Sequence, residues 1–139
     1  MKFKKISYEK LKPRQQENYN YHKISSKLAD YGYTTIRLTN DTHGADFLLQ
    51  HVDSSREIVK VQLKGRWTVN KNYQNKNLYI AFRKNNKFYL CPHDQLLDFL
   101  LNKKKKSIKN TSSWLKDGHY NSREISVEMM LFFKNFEIK

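Results

Sequence analysis

Three side chains in the middle of the chain have the types and spacing to do chemistry together: Asp46, Gln62 and Lys64. Asp46 stands near the start of a strand-like run, Ala45 to His51, and Gln62-Leu63-Lys64 closes a second, Ile58 to Lys64. The segment between them, Val52-Asp53-Ser54-Ser55-Arg56-Glu57, has the length and turn chemistry of a hairpin. Antiparallel pairing sets the start of the first strand beside the end of the second, and the two-residue period puts Gln62 and Lys64 on one face. A carboxylate, an amide carbonyl and an ammonium then meet at one hairpin end. The two oxygens are donors of the kind a hard divalent cation takes, and an ammonium beside them can steady a phosphoryl oxygen that gains charge. Each residue also has a plain reading: Asp46 as the end of a turn, Gln62 as a solvated sheet residue, Lys64 as the guard of a strand edge. It is their convergence that favours a site.

The elements that must position this group show in the periodicity. From Leu11 to Asp30, the residues Glu17, Tyr21, Ile24 and Leu28 recur at helical spacing, with Pro13 in the first turn and Gly32 as the stop. Glu17 continues an otherwise apolar stripe, so it lies at the rim of the core or is aimed into a site. Tyr33 to Leu38 reads as a strand and Thr39 to Gly44 as a polar turn. Leu78 to Arg83 and Lys87 to Leu90 read as a hairpin around Lys84-Asn85-Asn86. His93 to Leu101 reads as a helix, with Asp94 near its positive end and Lys103 to Lys106 at its negative end. Residues 110–121 read as irregular. A last helix, from about Arg123 to Lys134, turns Ile125, Met129, Phe132, Phe133 and Phe136 toward the core. This order implies an α/β domain in which helices cover a mixed sheet.

On these residues the chain resembles the PD-(D/E)xK nuclease superfamily. There an acidic residue opens one strand and a (D/E/Q)-x-K motif lies on the next, as Asp46 and Gln62-Leu63-Lys64 do; a first-helix glutamate often joins the metal site, and Glu17 sits in that helix. The resemblance covers about 11–91 and leaves about 92–139 as C-terminal helical decoration of a single domain. Two departures stand out: Ala45 precedes the aspartate where the family has proline, and Gln62, a weaker metal ligand, replaces the second acid. The resemblance implies a restriction-endonuclease-like fold, a mixed central β-sheet flanked by helices. It also implies hydrolysis of phosphodiester bonds with Mg²⁺ or Mn²⁺, in DNA ahead of RNA, for defence or repair. Glu17, Asp46, Gln62 and Lys64 form the implied catalytic set, and Glu17, Asp46, Gln62 and the Leu63 carbonyl the implied metal ligands. The rival reading is a non-catalytic nucleic-acid-binding protein that keeps the fold and has lost competent metal binding through Gln62. A third is an interaction subunit whose basic surface meets an acidic protein.

Charge supports a polyanionic partner. The 139 residues carry 27 Lys and Arg against 13 Asp and Glu, a formal net charge of +14. Such a field attracts nucleic acid, although the dominance of lysine and the abundance of asparagine are also what an AT-biased genome produces. Arg14 and Lys23 on the first helix, His43 just before Asp46, and Arg66, Trp67, Lys71 and Tyr73 after the Q-x-K motif are the candidate nucleic-acid contacts. Trp67 has packing on the sheet as its alternative. His22, His43, His51, His93 and His119 show no metal-ligand spacing, and the single Cys91 fits a reducing cytosol. No run is long and apolar enough to span a bilayer, so the expected location is cytoplasmic. The chain has little room for a separate sequence-reading unit, so specificity is expected from a homodimer, a partner subunit or the structure of the nucleic acid.

Overall fold

The structure, a computed structural model, describes every residue except His43, and at Asp41 and Thr42 it describes the backbone alone. Helix α1, Pro13–Ala29, starts where Gln15 Oε1 accepts the Lys12 N–H at 3.0 Å, one of the helix's otherwise unpaired first donors. It buries Asn20, Tyr21, Ile24 and Leu28. Strands β1 (Tyr33–Thr42), β2 (Ala45–His51) and β3 (Val59–Lys64) follow as an antiparallel meander. After β4 (Thr68–Asn70), β5 (Leu78–Lys84) returns parallel to β3 and turns back antiparallel into β6 (Lys87–Pro92). Asn85 and Asn86 make that turn with φ of 50° and 63°, the left-handed pair that suits a two-residue hairpin. Helix α2 (His93–Asn102), β7 (His119–Asn121), α3 (Val127–Phe133) and β8 (Glu137–Ile138) complete the order. The main sheet runs β1-β2-β3-β5-β6-β8, and β4 pairs with β7 in a separate two-stranded ribbon.

The sheet is covered on both faces. Tyr21, Ile24 and Leu28 of α1 pack with Phe47, Leu49, Val61 and Leu63 on one face, where fully burying each aliphatic side chain is worth ~1.5–3 kcal/mol. On the other face Ile80, Phe82, Tyr89 and Cys91 pack with Leu96, Leu97 and Leu100 of α2, Met129 and Phe133 of α3, and Trp67, Val69 and Trp114. This mixed six-stranded sheet between helices is the architecture expected of a restriction-endonuclease-like core.

Four expectations are corrected. The Thr39–Thr42 segment continues β1 instead of turning, with the register broken between Arg37 and Thr42. As an edge strand, β1 has a ladder on one side only, so polar residues are tolerated there. Residues 110–121 contain a π-helical turn, Ser113–Asp117, and β7. The last helix is shorter than its apolar pattern, because Ser126 caps it by accepting the Met129 N–H and Arg123 to Ile125 precede the cap as coil. Trp67, offered as a surface for bases, is 3% exposed; its Nε1–H donates to the Glu124 carbonyl at 3.0 Å and its ring stacks on Tyr120.

Candidate active site

The paired residues of β2 and β3 end at Phe47 opposite Val61. One step further the backbone ladder gives way to a side chain: Asp46 Oδ2 accepts the Leu63 N–H at 2.7 Å. A carboxylate thus takes the place of a strand carbonyl, so the two strands part around it while the Leu63 donor stays satisfied. Phe47, Val61 and Leu63 face α1. By the two-residue alternation of β3, Gln62 and Lys64 share the opposite face, and the register, carried one step beyond Phe47 and Val61, sets Asp46 across from Gln62.

Gln62 is 5% exposed, and its buried Oε1 finds no hydrogen-bond donor among the described residues. Burying an amide oxygen without a partner costs ~1–3 kcal/mol, a penalty a cation or a donating ligand would relieve. Lys64 is half-buried, with its Nζ 5.9 Å from the centre of the Tyr73 ring. That ring stands edge-on to His93. The structure therefore brings Asp46, Gln62 and Lys64 to the same end of the β2–β3 pair.

Glu17 arrives from the other side. It lines a cleft of about 270 Å³ with Leu63, Lys64 and Asn20, but its exposed carboxylate lies 3.6 Å from Arg37 Nη2. Arg37 in turn lies over the Tyr21 ring at 4.6 Å. Among the described residues, no three His, Cys, Asp or Glu side chains gather in a way that could hold a metal ion. A cation here would depend on Asp46, on amide and backbone oxygens, and on Glu17 leaving its arginine. The donor set fits a hard oxygen-seeking cation in kind, with one carboxylate fewer on the hairpin than a two-acid site.

The remaining candidates scatter around this point. Arg66 is exposed and lines, with Lys64, Tyr73 and His119, the cleft below the end of β3. Arg14 lines a separate groove with Glu17 and Arg37. Lys23 lies over the Tyr19 ring at 5.5 Å, and Lys71 over Trp114 at 5.2 Å. The expectation for His43 lies outside the described residues.

Sequence reasoning missed His93, which holds the loop beside the site. It is fully buried; its Nε2 accepts the Asn70 N–H at 3.1 Å and its Nδ1–H donates to Asp94 Oδ1 at 2.9 Å. Asp94 Oδ2 also accepts the Asn75 N–H at 3.0 Å, so both ends of the Lys71–Tyr73 turn are tied to the start of α2. Burial holds the His93 pKa below its ordinary value against the opposing pull of Asp94, which matches a neutral ring that accepts on one nitrogen and donates on the other. The signal lay in the Pro92-His93-Asp94 sequence at a helix start, without a long-range partner in view.

No family model matches the chain, and none of the curated proteins matches it. Among solved structures, it is similar to Hjc, a Holliday junction resolvase from Archaeoglobus fulgidus, at 10% identity and a TM-score of 0.43, over 57% of this chain and 74% of that one. It is also similar to a bacterial homing endonuclease at 14% identity and a TM-score of 0.47, over 75% of this chain and 90% of that one.

Proposed function

We propose that the chain is a metal-dependent nuclease that hydrolyses phosphodiester bonds, with DNA ahead of RNA as substrate. The observation that carries this reading is the buried, unpartnered Oε1 of Gln62 set across from the Asp46 carboxylate where β2 and β3 part, with the Lys64 ammonium two residues on. Asp46, Gln62 and the Leu63 carbonyl, joined by Glu17, are the residues that would hold Mg²⁺ or Mn²⁺. Such a cation supplies an activated water and balances the charge gained by the phosphoryl oxygens. Asp46 contributes the negative charge that selects a cation for this spot. Lys64 offers a donor to a phosphate oxygen, and a formal charge of +14 draws a polyanion toward it. No helix among the described residues is long and apolar enough to cross a membrane.

The test is cleavage of plasmid, single-stranded DNA and RNA by purified protein with Mg²⁺, Mn²⁺ or EDTA. Metal-dependent cutting that falls ~100-fold in Lys64→Ala, with metal binding retained, upholds the reading. The second reading, a nucleic-acid-binding protein without catalysis, draws on the single carboxylate that β2 and β3 provide between them. Wild type that binds DNA and never cuts it under any metal selects that alternative.

A further inference from the structure

A cleft of about 580 Å³ adjoins the candidate active site and draws its charge from three separate stretches of chain. Arg66 comes from the loop after β3, Arg83 and Lys84 from the end of β5, and Arg123 from the loop before α3; Glu9 is the one carboxylate among them. Holding four cations around one space costs repulsion that an anion relieves. Two of the four are already oriented. The Arg83 guanidinium lies 3.7 Å from the centre of the Tyr8 ring and donates through Nη2 to Asn86, and Lys84 Nζ donates to the Arg123 carbonyl at 2.7 Å. The buried Nε of Arg83 has no acceptor among the described residues. Arg66 and Arg123 are exposed, and neither takes part in an ion pair among the described residues. Guanidinium groups arranged like this match the planar, two-pronged recognition of a phosphate.

Gly65 joins this cleft to the site. It lines the arginine cleft, the Glu17–Lys64 cleft and the cleft below β3 alike. Its φ is not positive, and a Cβ built on it would meet nothing within 4 Å, so neither backbone conformation nor crowding demands glycine there. A bare backbone at the meeting point of three clefts is of use to something that must lie against it.

We propose that the cleft formed by Arg66, Arg83, Lys84 and Arg123 binds a backbone phosphate of a nucleic-acid strand flanking the phosphate held at Lys64, and that Gly65 is the saddle over which the strand passes. The proposal rests on the nucleic-acid part of the reading above and is independent of cleavage. The experiment is fluorescence anisotropy of a short labelled DNA, duplex and single-stranded, in EDTA, across about 50–200 mM salt. Arg83→Gln and Arg123→Gln each weaken binding ~10-fold and flatten the log K against log salt slope by ~0.7–0.9, the loss of one phosphate contact. Lys134→Gln, an exposed charge outside the cleft, changes binding less than ~2-fold. Gly65→Val melts at the wild-type temperature and binds ~10-fold more weakly, a combination that no folding role explains. Arg123 is exposed, so its variant folds even if loss of Arg83 loosens Tyr8. Wild-type affinity and slope in both arginine variants, or wild-type affinity in Gly65→Val, overturns the proposal. Tight binding of inorganic phosphate or a mononucleotide alone, lost in Arg83→Gln, makes a free phosphate ester the ligand and overturns it as well. Weakened variants of a wild type that binds but never cuts uphold the cleft and count only against the role given to Asp46 and Gln62.

Discussion

Replacing Asp46 by asparagine separates the two jobs this side chain does. Its carboxylate oxygen terminates the β2–β3 ladder by accepting the Leu63 N–H at 2.7 Å, and its charge is what a cation would seek. Asparagine keeps an oxygen in the same place, so the structural cost is the difference between a charge-assisted and a neutral hydrogen bond, ~1 kcal/mol. For a domain of this size that lowers the melting temperature by roughly 3–5 °C. Alanine would instead strand the Leu63 donor, at a cost of ~1–3 kcal/mol. The catalytic loss is of a different order. Removing the negative charge that anchors a divalent ion costs ~4 kcal/mol of transition-state stabilisation, or ~1,000-fold in rate. The assay is initial-rate plasmid nicking under Mg²⁺, beside thermal melting and DNA binding of the same preparations. Asp46→Asn should melt only roughly 3–5 °C below wild type, cut ~1,000-fold more slowly, and bind DNA as well or better, because an anion has left a basic surface. Full activity in Asp46→Asn refutes the reasoning. So does a loss of activity matched by a comparable loss of folded protein.

Gln62→Glu should raise the melting temperature in Mg²⁺ relative to EDTA by more than wild type does, since a carboxylate buried at that position needs a cation; equal metal effects in the two proteins place Gln62 away from any ion. The buried His93 is held neutral, with its pKa lowered from the ordinary 6.5, so unfolding takes up a proton below about that pH. Stability should therefore fall as pH drops below about 6.5, by up to ~1.4 kcal/mol per pH unit, and chemical denaturation of His93→Gln should show a flatter profile there; identical profiles would refute this. Burial pushes the Cys91 thiol up to about 12, so iodoacetamide at pH 8 should label unfolded protein readily and native protein only through unfolding. Rapid native labelling would mean that β6 is open to solvent.

What could be read from the sequence was whatever repeats within a few residues. Tyr21, Ile24 and Leu28 announce α1, and Asn85-Asn86 announces a tight turn. The alternation of Val59, Val61 and Leu63 against Gln62 and Lys64 gives a hairpin whose register aligns Asp46 with Gln62. Features made by distant pairing were not legible. Thr68-Val69-Asn70 and His119-Tyr120-Asn121 are too short to show a period, and each is a strand only because the other is there. The parallel pairing of β3 with β5 lacks the usual clue of a crossover helix, residues 65–77 serving instead. Arg83 alternates along β5 like any solvent-facing residue, and its place in a cleft depends on Tyr8 and Arg123 arriving from either end of the chain. Glu17 lies on the expected helix, yet its partner Arg37 could be known only once β1 lay beside that helix.

The ribbon of β4 and β7 has a consequence in time. The stretch that carries Arg66 to Tyr73 leaves β3 midway along the chain, but its partner strand and the Lys71 N–H bond to the Gly118 carbonyl come from the last quarter. During synthesis the meander and α1 can pair as soon as they emerge, whereas this stretch has nothing to dock against until residues 118–121 have left the ribosome. The acidic hairpin end thus exists before the basic wall around it does. A nascent chain can therefore form the β1–β3 meander while the cleft that Lys64 shares with β4 and β7 still lacks the wall that His119 and Asn121 supply.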